Sequence, residues 1–595
     1  MGATEDDASC RPARPDGTCF ILRRALSLQR AWPRALFALA LAAVVALAAV
    51  VVSAQPVRSP WWTYADADAA YSASSLNLLD GERAKYLDHP GLPLEQAGAL
   101  AFGVQYAAER VRGDVGSRRE YVDRKMSNLD SARPVFRGLA IAFYLAGAAL
   151  SFLLVGRALR HWSAGLAAGI LWTAAPGLVA MSIQFRPDVP LSVLVIVFAY
   201  FVGRGIERRS AWDYFVAAFV AGVAMMLKLH AAGLLVPLVL AAAWHPPQRA
   251  DVAAALRSRL RTRRWQAAAA LWVVLAAILN LERVPFRPTA GQLAATLGPL
   301  LLVAAAFAAV RLAPARLRRI FDPSYPLIAA AVLAGLAVPI TLDLPDGLQS
   351  MVNIENGLTG HGINAAIPLF ATPISNFWTT LQLPFLVFVL AGLGALVGLI
   401  TRDARPVVWF AGAVVLGVMA EARLAAIHYF APAFVLSVPA ALWLFRTQRL
   451  KLASLLVWPL VLYVTWPAVR DRDTPRKEAR EFRTQIAPAA AAVAARLRPG
   501  EFVLTAPYAP VADTRYFQLV EQYVNYTPKH AYRFLPATQA AAALAQSRGL
   551  RARYFVGPEA RELRGQQTVS LYELGPFTLR PLPGVDGAAE IVPGR

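Results

Sequence analysis

The amino-acid sequence predicts an α-helical polytopic membrane protein with about 13 transmembrane helices and a small extracytoplasmic α/β domain at the carboxyl terminus. The first observation is composition: of 595 residues, 57% are hydrophobic and 16% charged, and the mean hydropathy is +0.44. A soluble protein of this size does not usually have such a balance. The second observation is a series of apolar runs near the length of about 20 residues that spans a bilayer as a helix. The third is the alternation of helix-like and strand-like patterns beyond residue 467.

The apolar runs divide the chain into parts. Residues 1–34 form a basic leader, residues 35–467 the transmembrane domain with a first external loop at 55–133, and residues 468–595 the carboxyl-terminal domain. Several runs are shorter than about 20 residues, so adjacent short pairs could instead be re-entrant. The predicted spans lie near residues 35–54, 134–156, 163–183, 190–203, 212–229, 231–244, 266–281, 292–310, 325–342, 376–400, 406–422, 428–445 and 452–468.

The distribution of arginine predicts the orientation in the membrane. The formal net charge is +22, but the arginines lie in short segments between apolar runs, which does not suit a nucleic-acid-binding face. Segments 245–265 and 311–322 hold six and four Arg, each with one Asp, and segment 446–451 holds three cations. Cytoplasmic loops are enriched in Lys and Arg, so these segments and the amino terminus are predicted to be inside. Residues 344–375, which lack Lys and Arg, and the carboxyl-terminal domain are predicted to lie outside a bacterial-type cytoplasmic (inner) membrane.

The leader and the absence of common motifs exclude several classes. The two cysteines, Cys10 and Cys19, lie in the predicted cytoplasmic leader, so no disulfide framework is expected. Val52-Ser53-Ala54 resembles a signal cleavage site, but the run before it exceeds the ~7–15 residues of a signal core, so we expect the first span to be retained. No Walker loop, Gly-rich dinucleotide loop or Cys/His zinc pattern occurs in the sequence. ATP-driven pumping therefore has no support.

Two polar regions are not predicted to span the membrane. In the first loop, stretches 68–79 and 94–111 are compatible with helices that lie along the membrane surface. The second region is the carboxyl-terminal domain, whose alternating pattern is typical of a small α/β fold. Its predicted elements are helix 476–497, strand 502–506, helix 537–548 and strands 553–556 and 569–574.

Three aspartates are candidate catalytic acids. Asp66 and Asp68 follow the uncharged run Ala35 to Ala54 by about a dozen residues, and Asp188 precedes the fourth predicted span. On a helix, residues two apart point about 200° apart, so one of Asp66 and Asp68 is expected to be the functional acid. The alternative for each is a helix cap, in which Asp accepts backbone N–H bonds. All three are predicted at the same membrane face, which favours a shared interfacial site.

Eight further side chains near that face are candidates for binding substrate. Several of them have a structural alternative: Asp88-His89-Pro90-Gly91 suits a turn, a lysine at the end of a span can reach towards the interface, and Glu421 with Arg423 could be a structural ion pair. The sharper interpretation is phosphate binding, for which the donor groups of arginine are well suited. These candidate substrate-binding residues are Lys85, His89, Arg186, Lys228, His230, Arg423, His428 and Tyr429.

Four segments resemble the GT-C superfamily of polyprenyl-phosphate-sugar-dependent glycosyltransferases, in the branch of protein O-mannosyltransferases and lipid A aminoarabinose transferases (glycosyltransferase family 39-like). They are ADADAAYSASSLNLLDGERAKYLDHPGLP after the first span, then RPDVPL, LKLHAAGLLVP and ARLAAIHYFAPAF. The sequence departs from the family pattern in two places: no Glu follows Asp66, and Gly91 stands where a second proline is usual. The choice between Asp66 and Asp68 stays open.

The resemblance implies a GT-C fold and the activity of a hexosyl- or pentosyltransferase. It implies a sugar donor on polyprenyl phosphate, a glycan, lipid or protein acceptor at the extracytoplasmic face, inversion at the anomeric carbon, and an Asp general base. An interfacial carboxylate can act as a base while cations stabilise the departing phosphate. Some superfamily members need a divalent cation, so Mg²⁺ or Mn²⁺ bound by Asp66, Asp68 or Asp188 is a further expectation.

The main alternative is a transporter or flippase of a lipid-linked glycan. Transporters usually carry ionisable groups near the middle of their spans. In this sequence the candidate residues lie at the ends of the apolar runs, towards one face. This distribution favours an enzyme, and it also disfavours a noncatalytic scaffold that only presents the carboxyl-terminal domain.

Overall fold

A computed structural model describes most of the membrane part and much of the carboxyl-terminal part of the chain. The described residues are 34–55, 65–84, 91–127, 131–246, 261–281, 288–312, 324–356, 374–423, 428–446, 487–505, 534–537, 539–547, 549–557 and 559–592.

The described membrane part is almost entirely helical. Three helices are long and apolar enough to cross a membrane, namely Ala35–Ser53, Arg133–Leu159 and Asp188–Arg208, and shorter apolar helices pack around them. The helices are α1 (Arg34–Ser53), α2 (Ala65–Leu79), α3 (Leu92–Val111), α4 (Arg118–Ser127), α5 (Arg133–Leu150), α6 (Trp162–Ala174), α7 (Pro176–Met181), α8 (Asp188–Arg208), α9 (Ala211–Leu227), α10 (Leu235–Trp244), α11 (Arg263–Leu281), α12 (Ala290–Leu312), α13 (Ser324–Leu342), α14 (Leu344–Asn356), α15 (Ile374–Thr401), α16 (Ala404–Arg423) and α17 (Ala431–Leu442).

Apolar helices coincide with the predicted spans that fall within the described residues. The predicted span 163–183 is divided into α6 and α7, because Ala175 precedes Pro176 and adopts an extended conformation, with ψ of 114°. The predicted span 452–468 lies outside the described residues. The chain is thus a helical, multi-pass membrane protein, and the number of thirteen crossings stays a prediction.

Small residues let two of these helices approach closely. A Cβ atom on Gly222 of α9 would lie 2.2 Å from the Val332 carbonyl oxygen, and one on Gly335 of α13 would lie 2.1 Å from the Phe219 carbonyl oxygen. Glycine at both positions is therefore required for this contact between backbones, as is common between membrane helices. The contact fixes α9, whose last residue precedes Lys228, against α13.

The described residues of the first loop, 65–84 and 91–127, are largely helical, as the sequence predicts. Helices α2 and α3 begin a few residues before the predicted stretches 68–79 and 94–111 and end where those stretches end. Helix α14 was not predicted, since no helix or strand was expected within residues 344–375. The Asp343 side chain accepts a bond of 3.4 Å from the Asp346 N–H in the first turn of α14, which helps to start a helix that has no long apolar run.

The described carboxyl-terminal residues form one six-stranded sheet with short helices. Strand order is β2-β1-β3-β6-β5-β4, where β1 is parallel to β2 and β3, and β3, β6, β5 and β4 are antiparallel neighbours. The elements are α18 (Ala487–Ala494), β1 (Glu501–Thr505), β2 (Phe534–Pro536), α19 (Gln539–Ser547), β3 (Arg551–Val556), α20 (Glu559–Glu562), β4 (Gln567–Ser570), β5 (Pro576–Pro581) and β6 (Ala588–Ile591).

Some predicted boundaries in this part are wrong. The predicted strand 569–574 ends at Ser570, and Tyr572–Leu574 is a 3-10 turn. Strands β5 and β6 were not predicted, because β5 begins and ends with proline and β6 has only four residues. Helix α18 occupies only part of the predicted helix 476–497; residues 476–486 lie outside the described residues.

Candidate functional site

A buried ion pair lies where α8 begins and α9 ends. The Lys228 Nζ atom is 2.5 Å from Asp188 Oδ1, and the Arg186 Nε atom is 3.5 Å from Asp188 Oδ2. Asp188 is 0% and Lys228 1% exposed. Asp188 does not cap α8, since the N-cap is Pro187 and no side chain caps this end. The capping alternative for Asp188 and the interface-reaching alternative for Lys228 are therefore both wrong.

The local sequence explains why these two side chains meet. Pro190, in the first turn of α8, has no N–H to leave unsatisfied, so the helix starts directly at Asp188. Lys228 has extended backbone angles, φ −160° and ψ 130°, and a 3-10 turn, Leu229–Leu234, follows it. The chain therefore turns at Lys228 and directs the next segment around the end of α9. Helices α8 and α9 pack side by side, which brings Asp188 to Lys228.

Aromatic and imidazole rings surround the lysine. The Lys228 Nζ atom lies 3.9 Å from the centre of the Tyr429 ring, a cation–π contact. The ring of His428 is 4.4 Å and the ring of His230 is 6.2 Å from the Tyr429 ring, measured between centroids. Tyr429 itself is buried. The turn at 428–430 thus covers the ammonium group.

Asp188 lies between two cations. Two cations, Arg186 and Lys228, face one carboxylate, Asp188, and His428 lies within electrostatic reach of all three. Removing charged groups from water is costly, and each charge in this contact is offset in part by an opposite charge. Cationic side chains of this kind can also bind a phosphate.

The first loop, between α1 and α5, reaches the same place. The Gly91 N–H donates a hydrogen bond of 3.2 Å to the Leu227 carbonyl oxygen, one residue before Lys228. Gly91 has a φ of 53°, a left-handed conformation that favours glycine. On α2, the Tyr71 ring is 6.4 Å from the Phe185 ring, next to Arg186. Gly91 and α2 therefore meet the cluster from the side of the first loop.

Six of the predicted site residues have described side chains, and the structure brings them together. They are Arg186, Asp188, Lys228, His230, His428 and Tyr429. Asp66 and Asp68 lie in the first turn of α2, and Arg423 ends α16, but the side chains of these three are not among those described. Lys85 and His89 lie outside the described residues. The roles assigned to these five residues stay predictions.

Asp188 is poorly suited to hold a divalent cation. Among the described residues, no group of three or more His, Cys, Asp or Glu is arranged to bind a metal ion. Both oxygens of Asp188 already face cations, Lys228 and Arg186. Hard cations such as Mg²⁺ need carboxylates whose charge is available. Binding of Mg²⁺ or Mn²⁺ by Asp66 and Asp68 stays a prediction.

A second polar cluster was not predicted from the sequence. It consists of Arg83 and three buried acids, Glu95, Asp343 and Asp346. The available signal was the pair Asp343-Leu-Pro-Asp346 in a stretch that has no Lys or Arg. Acids without nearby cations in sequence often have a partner from elsewhere in the chain.

One protein family matches the segment that holds most of the cluster. Residues 130–279 match the model for dolichyl-phosphate-mannose-protein mannosyltransferase, about a quarter of the chain. The matched segment includes Arg186, Asp188, Lys228 and His230. The match supports a GT-C superfamily glycosyltransferase, in agreement with the resemblance of the sequence. No curated protein gives a significant sequence match.

Solved structures of two kinds are similar over much of the chain at low identity. ArnT from Cupriavidus metallidurans bound to undecaprenyl phosphate is 14% identical, with a TM-score of 0.32, over 93% of this chain and 100% of that one. Its apo state is 15% identical, with a TM-score of 0.31, over 94% and 98%. The Archaeoglobus fulgidus oligosaccharyltransferase in complex with Zn and sulfate is 13% identical, with a TM-score of 0.39, over 86% and 67%. Values this low transfer no site or substrate to this chain.

Proposed function

We propose that the protein is a membrane glycosyltransferase that moves a sugar from a polyprenyl-phosphate-linked donor to an acceptor at the extracytoplasmic face. The observation that carries the proposal is the contact of Arg186 and Lys228 with the buried Asp188, beside Tyr429, at the ends of apolar helices. A lipid phosphate is an anion that can approach the ends of these helices from the bilayer. The description of the matching family names dolichyl-phosphate mannose, a sugar on a polyprenyl-type phosphate. It supports the same class of donor.

In this proposal, Lys228 and Arg186 bind the phosphate of the donor. Asp188 holds the Lys228 ammonium in place through the 2.5 Å contact and serves as a positioning residue rather than as the base. A carboxylate stabilised by two cations accepts a proton poorly. The base is then Asp66 or Asp68, on the helix whose Tyr71 packs on Phe185.

The reaction follows from these roles. The base removes the proton of an acceptor hydroxyl while its oxygen attacks the anomeric carbon from the face opposite the phosphate. The bond between the anomeric carbon and the phosphate oxygen breaks, and its electron pair leaves with the polyprenyl phosphate. Lys228 and Arg186 stabilise the charge that develops on that phosphate. The attack inverts the anomeric configuration.

The proposal also assigns a location. The arginine-rich loops favour a cytoplasmic amino terminus, a bacterial-type inner membrane and an extracytoplasmic carboxyl-terminal α/β domain. With this orientation the start of α8 and the end of α9 face outward, where an acceptor glycan, lipid or protein is available. About thirteen crossings, including 452–468, are consistent with termini on opposite sides of the membrane.

The test is binding of undecaprenyl phosphate compared with undecaprenol, measured as the thermal shift of the detergent-purified protein. We expect the phosphate to stabilise the wild type, the alcohol to have little effect, and Lys228→Met to abolish the difference. Lys125→Met is the matched control, since Lys125 is also buried, pairs with Glu109 at 3.2 Å and lies 5.2 Å from the Tyr121 ring centre. Equal shifts with both lipids, or loss of the difference in the control, would refute the proposal.

A further inference from the structure

A second polar cluster connects the first external loop to α14. Asp346 and Glu95 are 0% and Asp343 is 2% exposed. Asp343 precedes α14, Asp346 lies in its first turn, and Glu95 lies in the first turn of α3. Three acids from two segments are thus buried in one place.

Both oxygens of Asp346 bind the first loop. The Arg83 Nε atom is 3.0 Å from Oδ1, and the Ala84 N–H donates a bond of 2.6 Å to Oδ2. The Ala84 side chain is buried, so this backbone bond is shielded from water. The Gln96 side chain adds a bond of 2.7 Å from Nε2 to the Pro339 carbonyl oxygen. The loop is therefore attached to the α13–α14 corner at two points.

The attached segment leads directly to the candidate site. Ala84 is followed, seven residues later in the chain, by Gly91, whose N–H binds the Leu227 carbonyl oxygen beside Lys228. One contact therefore lies before the Asp88-His89-Pro90-Gly91 segment and the other at its end. A shift at Ala84 changes the distance that the intervening chain must cover.

The chemistry of the cluster argues for a positioning role. Apolar side chains of similar volume usually stabilise a buried contact as well as an ion pair does, or better. Here the Arg83 side chain is 54% exposed, so water screens its ion pair with the buried Asp346 in part. Such a contact adds little stability, but its two directed bonds define where residues 83 and 84 lie.

We propose that Asp346 is a positioning residue for the candidate site: it holds Arg83 and Ala84 against α14 and thereby fixes the first-loop end of the site beside Lys228. The kinetic part of this proposal rests on the proposed glycosyltransferase function. The structural part does not.

The cluster also makes this attachment sensitive to pH. Burial, and then the neighbouring Asp343, raise the pKa of Asp346 to about 7 from 3.8, while Ala84 and Arg83 act against them. Burial, followed by Asp346 and Asp343, raises the pKa of Glu95 well above its ordinary value, and the Ser74 hydroxyl opposes this. A raised pKa means that the attached state binds protons more tightly than a detached, hydrated state. Acid therefore favours attachment, and a rise of pH from about 4 through about 7 weakens it.

Hydrogen exchange of the backbone measures attachment without any assay of activity. We expect Asp346→Ala to raise exchange at the Ala84 amide by about tenfold or more, because a buried bond to a charged acceptor is lost. Exchange at the Gly91 amide should rise as well. Asp346→Asn keeps one carbonyl acceptor and should restore part of the protection at Ala84. Glu109→Gln is the control, since Glu109 is a buried acid on the same helix as Glu95 but pairs with Lys125.

Kinetics complete the test. In a variant that keeps its thermal stability, Asp346→Asn is expected to raise the KM for the lipid-linked donor about tenfold or more with little change in kcat, as for loss of a contact that organises the binding site. The proposal is overturned if Asp346→Ala exchanges the Ala84 and Gly91 amides at the wild-type rate. It is also overturned if Asp346→Ala and Glu109→Gln exchange these amides at the same rate. If the wild type turns over no donor, the proposed function fails, while the exchange result still decides the role of Asp346 in attachment.

Discussion

The Asp188–Lys228 pair makes a quantitative prediction about stability. Lys228→Met removes the ammonium 2.5 Å from Asp188 and leaves a carboxylate that is 0% exposed with only Arg186, at 3.5 Å, as its charged partner. Breaking a buried ion pair on one side typically costs about 3–5 kcal/mol. Because Arg186 compensates in part, we expect the lower end, about 3 kcal/mol.

A double-mutant cycle separates the pair from general damage. In Asp188→Asn combined with Lys228→Met, neither charge is left behind, so the double variant should be more stable than the sum of the two single effects predicts. We expect a coupling free energy of about 2 kcal/mol or more, at the upper end for residues in contact. The assay is unfolding in mixed micelles by titration with sodium dodecyl sulfate.

The control combines Lys228→Met with Asp403→Asn. Asp403 pairs with Arg405 at 2.5 Å, and Arg405 lies 3.4 Å from Glu207 near the other end of α8. Glu207 is about 28 Å from Asp188 along this helix, at about 1.5 Å per residue. The control pair should be additive within about 0.5 kcal/mol. Additivity of Asp188→Asn with Lys228→Met would refute the energetic importance of the buried pair.

Four further predictions follow from the same geometry. Either Asp66→Asn or Asp68→Asn should abolish sugar transfer, measured by turnover, because it removes the base. The binding of undecaprenyl phosphate, measured by thermal shift, should not weaken, because the cations stay in place. Normal turnover in both variants would contradict the assignment of the base. Tyr429→Leu should lower the free energy of unfolding by about 1–2 kcal/mol, since it removes the ring 3.9 Å from Lys228 Nζ, while Tyr429→Phe keeps the ring and should lower it less. The melting temperature of Glu95→Gln should rise relative to that of the wild type between about pH 5 and about pH 8. Burial raises the pKa of Glu95, so the wild type loses stability as the pH increases. A difference between the two melting temperatures that does not change with pH would count against a buried neutral Glu95. A reporter that fluoresces only in the cytoplasm, fused after Arg595, should be dark, and a bright fusion would reverse the proposed orientation.

Much of the membrane part could be predicted from the sequence because its signal is local. A long apolar run forms a helix in a bilayer whatever its neighbours are, and the predicted spans within the described residues coincide with apolar helices. Polar residues at the ends of such runs are rare enough to stand out, which is why Asp188, Lys228, His428 and Tyr429 were recognised as candidates.

The pairing of these residues could not be predicted, because it is not local. Asp188 and Lys228 are 40 residues apart in the chain, and each alone fits a cap or an interfacial lysine. Only the packing of α8 against α9 shows that they form an ion pair, which changes the role proposed for Asp188 from a candidate catalytic acid to a positioning residue.

Helix α14 and Asp346 were missed for a different reason. The stretch from Leu344 has neither a long apolar run nor a basic segment, so neither pattern applied to it. Its helix depends on Asp343 at its start and on contacts with Arg83 and Ala84, which lie more than 250 residues earlier in the chain. A sequence pattern within one short window does not contain that information.

The most direct test of the central claim is sugar transfer by the purified protein in liposomes. A panel of undecaprenyl-phosphate sugars is supplied with cell-envelope acceptors, and release of free undecaprenyl phosphate is measured for the wild type, Lys228→Met and Lys125→Met. We expect release with at least one donor, its loss in Lys228→Met and its retention in Lys125→Met. Movement of an intact lipid-linked sugar across the bilayer without release of undecaprenyl phosphate would contradict sugar transfer and identify a flippase instead.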